Sequence, residues 1–459
     1  MRILELLRNM GILAIGGICT KAINFMLLPL YTSLISAEEY GTIDLLTTIV
    51  TLLVSVVGFQ VYDAIFKYAT IKRDNLQEIK IIFTNNWIFC MCSTIVFSGV
   101  CLILFYFFDF TGKWYVMSAV MSTIFLYIST NSSRSLGHNK LYSFANFVSA
   151  LITVVLNLFF LIVLKWPALT ILYAYVVGPL VGGLVCVVKD KLWRYFSLNL
   201  VNVAKIKEYL SYSLPLIPNE IAWWVIHASD RLVVTAFLGI YYTGMLAVAT
   251  KFSLVYSTIF GFFYAAWSEQ CFLHYNTTSG RNYIQELIPK VFVLFYYFTL
   301  ILIIVCMYIY PVVINQEYRE AMILIPWYLI AVLLNVIIGL ITPIYLVSNE
   351  TKFVMHSTIV AGLINLVVNI LLVSNIGILS APIAAIVGYG CVVIWRLRDI
   401  NKRYMHISCS IKKKLVMLCL LALVIWVYYF HNEGYIGVCV LTMVFFSMIF
   451  EFSKYRKQN

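Results

Sequence analysis

The chain has 459 residues, 62% of them hydrophobic and only 11% charged, with a mean hydropathy of +0.92 and a formal net charge of +12. Soluble domains carry about a quarter charged residues, so this composition cannot cover a water-exposed surface and excludes an ordinary soluble globule. The basic residues fall between apolar runs, which reads as membrane topology and points away from a nucleic-acid partner.

A spanning helix needs about 20 apolar residues. In chain order, apolar runs of that kind fall at 10–35, 41–66, 81–107, 114–136, 142–164, 168–188, 208–238, 242–268, 288–314, 321–347, 353–373, 379–396, 415–430 and 435–452. The spacing predicts an all-α polytopic membrane protein of about 14 transmembrane helices. The first run follows Arg2 and Arg8, but it is too long for a signal-peptide core and has no small-residue cleavage site, so it is expected to stay. Three connections are very short: Ser36-Ala-Glu-Glu-Tyr40, Gly239-Ile-Tyr-Tyr242 and His431-Asn-Glu-Gly434. The longest, 189–207 and 396–414, are basic and expected at the membrane surface, where anionic headgroups favour them.

With the N-terminus inside, twenty-six of the 32 lysines and arginines fall in inside segments. Only Lys113, Lys165 and Arg319 fall outside, and Lys21, Arg231 and Lys251 lie within spans. The positive-inside rule therefore predicts that both termini are cytoplasmic. The sequons at Asn131, Asn276 and Asn349 fall on the inside and are discounted. The 11 cysteines lie nearly all in apolar runs with no C-x-x-C pair, so neither a disulfide nor a metal site is expected.

The first and second spans join through Pro29-Leu-Tyr-Thr-Ser-Leu-Ile-Ser-Ala-Glu-Glu-Tyr-Gly41. The seventh and eighth join through Asp230-Arg-Leu-Val-Val-Thr-Ala-Phe-Leu-Gly-Ile-Tyr-Tyr-Thr-Gly244. Each is a helix, a short outside turn with Tyr near Gly, and another helix. The six-span interval predicts two pseudo-symmetric six-helix bundles, over 1–190 and 208–398, plus two C-terminal helices over 412–459. Parallel halves of this kind occur in transporters that rock one half against the other.

Three stretches carry a family likeness: Leu28-Pro-Leu-Tyr-Thr with Glu38-Glu-Tyr-Gly41; Ala64-Ile-Phe-Lys67-Tyr68; and Tyr212-Ser-Leu-Pro-Leu-Ile-Pro218 followed by Trp223-Trp224, Asp230-Arg231 and Gly244. The chain resembles the Wzx-type polysaccharide biosynthesis flippases, including the O-antigen flippases, of the multidrug/oligosaccharidyl-lipid/polysaccharide exporter superfamily. The second stretch departs from the family's usual Arg-Tyr. The resemblance implies a non-enzymatic transporter that moves an undecaprenyl-diphosphate-linked oligosaccharide from the inner to the outer leaflet of a bacterial cytoplasmic membrane. It also implies membrane lipid, glycan polymerase and chain-length proteins as partners. Similarity to the peptidoglycan-precursor flippases makes the last two spans a candidate groove for the prenyl tail.

Charges inside apolar helices are costly and usually face an aqueous cavity or a partner. On the seventh span Glu220, Trp223 and Trp224, His227 and Arg231 recur at i, i+3/i+4, i+7 and i+11, one face about 16 Å long. Pro215 and Pro218 precede it and predict a bend. Lys251 on the eighth span lies within about 5 Å of the depth of Arg231, and two cations at one depth suit a diphosphate. The other reading is that Asp230 neutralises Lys251. Lys21 sits mid-span with Asn24 on its face, either lining a cavity or pairing with Glu220. The expected substrate-binding cations are thus Lys21, Arg231 and Lys251, and the expected polar or coupling residues are Asn24, Glu220, Trp223, His227 and Asp230. Glu220 and His227 are candidates for coupling to a proton or sodium gradient. No cofactor and no catalytic residue is expected. Two alternatives stay open: a cation-coupled drug exporter of the same superfamily, which would want net acid in its cavity, and a membrane glycan polymerase or acyltransferase, which would want a catalytic constellation on an outer loop.

Overall fold

A computed structural model describes residues 27–275, 277–348, 350–407, 411–430 and 434–458, with some side chains within those helices excepted. Among the described residues there is no strand. The principal helices are α1 (Leu28–Leu34), α2 (Ala37–Val57), α3 (Val61–Ile71), α4 (Leu76–Phe107), α5 (Lys113–Ser135), α6 (Asn139–Leu158), α7 (Ile171–Lys189) and α8 (Val203–Ser213). They continue with α9 (Leu216–Leu238), α10 (Ile240–His274), α11 (Thr278–Val313), α12 (Ile325–Val347), α13 (Thr351–Ile376), α14 (Ser380–Arg403), α15 (Ile411–Phe430) and α16 (Gly434–Gln458). Every span expected from residue 41 onward coincides with a helix, and the first is described only from Leu28. By length and apolar composition alone eight described segments qualify as membrane spans. The chain is an all-α, multi-pass membrane protein.

Three helices depart from the sequence expectation in ways with clear causes. The second span is broken at Gly58-Phe59-Gln60, where Phe59 and Gln60 adopt left-handed backbone at φ 49° and 53°. Within a membrane the carbonyls freed by such a break need partners, and Ser93 Oγ donates to the carbonyl of Val57 at 2.5 Å. Phe59 packs edge-on against Phe89 at 5.3 Å, and Gln60 is buried. The seventh span is two helices: α8 ends at Ser213 and α9 begins at Leu216, so the bend falls at Leu214-Pro215. Proline there offers no backbone donor to continue the ladder. The twelfth span runs on to Arg403, seven residues past its expected end.

The connection between α7 and α8 is pinned rather than free. Thr84 Oγ1 donates to the carbonyl of Tyr195 and accepts from Ser197 N. Asn85 donates to the carbonyl of Leu200 and accepts from Asn202 N at 2.7 Å. Asn202 in turn caps α8 by accepting from Ala204 N and Lys205 N, the satisfaction of first-turn donors that an Asn N-cap provides.

The chain forms two compact units. Among the described residues the first comprises residue 27 and Thr42–Trp224, the second Leu28–Gly41 and the described residues from Val225 onward. In the first, α6 and α7 approach closely through glycine: a Cβ at Gly182 would lie 2.8 Å from the carbonyl oxygen of Ala145, and one at Gly178 would overlap Thr153 Oγ1. Gly178 and Gly182 are four apart, the small-residue spacing that lets membrane helices touch. In the second, α15 and α16 are tied to α11 and to the 3-10 turn Gln316–Leu324 by tyrosine hydroxyls. Tyr297 bonds Ser447, Tyr296 donates to Met417 O, and Tyr428 and Tyr429 donate to Met322 O and Ile323 O. These tyrosine hydroxyls carry helix–helix and helix–turn contacts.

Candidate functional site

Lys21 and Asn24 lie outside the described residues, and nothing is described of the side chains of Trp223 and His227. The remaining expected residues divide between the two units. Glu220 belongs to the first unit, where it is exposed and within electrostatic reach of Asp63. Asp230, Arg231 and Lys251 belong to the second. The seventh-span stripe therefore changes unit after Trp224. Trp224 itself donates from Nε1 to the carbonyl of Thr48 at 3.0 Å, joining α9 to α2 within the first unit.

Asp230 is 7% exposed within the second unit. Its Oδ1 accepts from Asn369 Nδ2 at 3.1 Å, and Asn369 Oδ1 accepts from Ser380 Oγ at 2.7 Å. A polar chain thus runs from α9 through α13 to the first residue of α14. Asn365, one turn before Asn369 on α13, leaves its Oδ1 without a hydrogen-bond partner although buried, and so does Ser229 Oγ beside Asp230. An unmade bond costs about 1–3 kcal/mol in a protein interior, so these two oxygens are costly polar atoms near the chain. The carboxylate accepts a hydrogen bond from an amide on α13 and lies within electrostatic reach of Arg231. Arg231 and Lys251 are both half-buried on α9 and α10. The Asn365-x3-Asn369 pair at helical spacing in an apolar run was the available signal for this chain.

Arg396 is a buried charge that sequence position alone does not reveal. Counted among the cations of the 396–414 loop, it is instead 1% exposed on α14. Its guanidinium donates to Ser357 Oγ at 2.9 and 2.7 Å, Thr342 Oγ1 at 2.9 Å, Thr358 Oγ1 at 3.0 Å and Val354 O at 3.0 Å. It therefore ties α12, α13 and α14 together with every acceptor neutral.

At the other end of the second unit, the α1–α2 turn docks on the start of α10. A Cβ at Gly41 would overlap the carbonyl oxygen of Ile240, and one at Gly244 would overlap that of Ala37. Glu317 Oε1 accepts from Ala37 N at 2.6 Å, and Tyr318 donates to the carbonyl of Ile35 at 2.8 Å. Ser36 and Glu39 form a capping box over the same turn. The two junctions of the internal repeat are thus in backbone contact with each other.

The model of the family described as "Polysaccharide biosynthesis protein" matches residues 6–267, and the chain belongs to that family. No curated protein sequence matches the chain. Among solved structures the fold is similar to that of the lipid II flippase MurJ in an inward closed conformation, at 14% identity over 97% of this chain and 99% of that one, with a TM-score of 0.69. It is also similar to a multidrug resistance MATE family transporter of the MOP superfamily. The inward-facing form gives a TM-score of 0.59 at 12% identity over 83% of this chain and 94% of that one, and the outward-facing form gives 0.58 at 12% identity over 85% and 94%.

Proposed function

We propose that the protein flips an undecaprenyl-diphosphate-linked oligosaccharide from the inner to the outer leaflet of the bacterial cytoplasmic membrane by alternating access, with both termini cytoplasmic, for surface polysaccharide assembly. The observation that carries this reading is the pair of cations Arg231 and Lys251 on α9 and α10 of the second unit, where the neighbouring Asp230 accepts a hydrogen bond from Asn369. A guanidinium and an ammonium at one depth match a diphosphate. Lys21 is assigned to the same headgroup from its place in the sequence. The prenyl tail stays in lipid, with α15 and α16 as its candidate groove. Family membership supports a glycan-related cargo.

The polar chain of Asp230, Asn369 and Ser380, with the unspent oxygens of Ser229 and Asn365, is the seat we assign to a coupling sodium ion or proton; Glu220 and His227 are the other candidates. A drug/cation exporter is disfavoured because its cavity would want net acid. Arg231→Ala or Lys251→Ala is expected to abolish surface glycan while the protein still accumulates in the membrane. Normal surface glycan in both single variants would remove the diphosphate role.

A further inference from the structure

Within the first unit, α6 and α7 run antiparallel in close contact. Gly178 meets Thr153 and Gly182 meets Ala145, while His138, just before α6, bonds Asp190, just after α7, at 2.8 Å. The start of α6 and the end of α7 therefore lie side by side. Near that end, Phe144 of α6 and Val181, Leu184, Val185 and Val188 of α7 line a groove of about 310 Å³ that ends at Lys189. The four α7 wall residues fall at i, i+3, i+4 and i+7, one helical face about 10 Å long. Lys189 follows Val185 by four positions, and Lys140 precedes Phe144 by four. Each lysine thus stands one turn beyond a groove residue on its own helix.

The walls determine what fills the groove. Phe144, Leu184 and Val188 are 52%, 50% and 57% exposed. On α7, Tyr173, Val177, Leu180, Leu184 and Val188 make one exposed stripe along the helix, and on α6 Phe144, Leu151 and Val155 make another. Faces so apolar along their length are covered by hydrocarbon and not by water. The end of the groove has the opposite character. Lys140 and Lys189 are exposed, and among the described residues neither forms an ion pair. The acid beside them, Asp190, has a side chain only 8% exposed and already engaged by His138. Lys191 and Arg194, both exposed just past α7, add to the positive field. A basic end between helices at a membrane surface matches a lipid phosphate. A zwitterionic headgroup brings its own ammonium to the same place and is matched less well.

We propose that the groove between α6 and α7 holds one anionic glycerophospholipid of the surrounding bilayer, with an acyl chain along Phe144 and Val181–Val188 and the phosphate between Lys140 and Lys189. This lipid is a bound partner and not cargo, so the proposal stands apart from the flippase reading. On the topology proposed above, its headgroup lies in the cytoplasmic leaflet, whose surface is negatively charged.

The test uses the full-length purified protein in neutral detergent and two probes, phosphatidylglycerol and phosphatidylcholine with matched chains carrying a photoreactive group at the acyl terminus. Phosphatidylglycerol is expected to label α6 and α7 of the wild type at lower concentration than phosphatidylcholine does. Lys140→Gln and Lys189→Gln are each expected to raise the half-saturating phosphatidylglycerol concentration about fivefold and to leave labelling by phosphatidylcholine unchanged. Leu184→Trp, which fills the groove from an exposed position, is expected to weaken labelling by both. An unchanged denaturation midpoint without added lipid shows that the variants are folded. Equal half-saturation by the two lipids in the wild type, or labelling confined to other helices, overturns the proposal. Displacement of phosphatidylglycerol by equimolar undecaprenyl diphosphate would make the groove a station for cargo and overturn it as well.

Discussion

Arg396 shows how one residue can be misplaced by sequence and what its true position does. Each hydroxyl it meets is already donating to its own helix: Ser357 and Thr358 to Val354 O, and Thr342 to Ile338 O. Their lone pairs are what remain for the guanidinium, so donors and acceptors are matched without a counter-carboxylate. Hydrogen bonds to a charged group contribute about 1.5–3 kcal/mol each in net terms, and the bonds here share one desolvation cost. Arg396→Met is therefore expected to destabilise the protein by roughly 2–4 kcal/mol, read as a lower midpoint of denaturation in detergent, with Arg396→Lys intermediate. An unchanged midpoint would show that the network is dispensable. The sequence alone placed Arg396 at the start of a basic loop because an apolar run ends there. The surrounding hydroxyls sit 38 to 54 positions away, so only tertiary structure reveals that it faces inward. Asp230 is the opposite case. Its intramembrane charge was visible in the sequence, whereas its partner Asn369 was hidden by distance along the chain.

At the scale of elements, the motifs that carry the family likeness turn out to be contact points. Lys67 Nζ sits 3.7 Å over the Tyr212 ring, and Tyr68 meets Tyr209 at 5.1 Å. The second and third likeness stretches therefore pack on each other where α3 meets α8. The first stretch packs on the start of α10 through Gly41 and Gly244. Helix existence was legible because a span must bury its backbone within about 20 apolar residues. The break at Phe59-Gln60 was not, since no glycine occupies the left-handed positions and no proline announces it. The bend at Pro215 was, for the reason that the α8–α9 break shows. Backbone contact at the junctions has a sharp consequence. Gly244→Ala must push the α1–α2 turn away and is expected to cost about 1–3 kcal/mol, the usual cost of overpacking. Gly261→Ala on the same helix meets nothing within 4 Å and serves as the control; it is expected to be neutral or slightly stabilising. Equal melting of the two variants would show that the junction does not depend on the close approach.

At the scale of the molecule, two helices change unit along their length: α2 at Gly41 and α9 after Trp224. The internal repeat seen in the sequence lies at those same two helices, which carry the α1–α2 and α9–α10 junctions. The Asp230 chain, with Arg231 and Lys251, lies within the second unit. The most direct test is reconstitution of the purified protein in vesicles containing undecaprenyl diphosphate linked to a dithionite-sensitive fluorescent N-acetylglucosamine. Wild-type protein is predicted to let external dithionite bleach the lipid of both leaflets, with Lys251→Ala vesicles losing only the outward-facing signal. Bleaching confined to the outer leaflet with the wild-type protein, under imposed sodium and proton gradients alike, would contradict the flippase account.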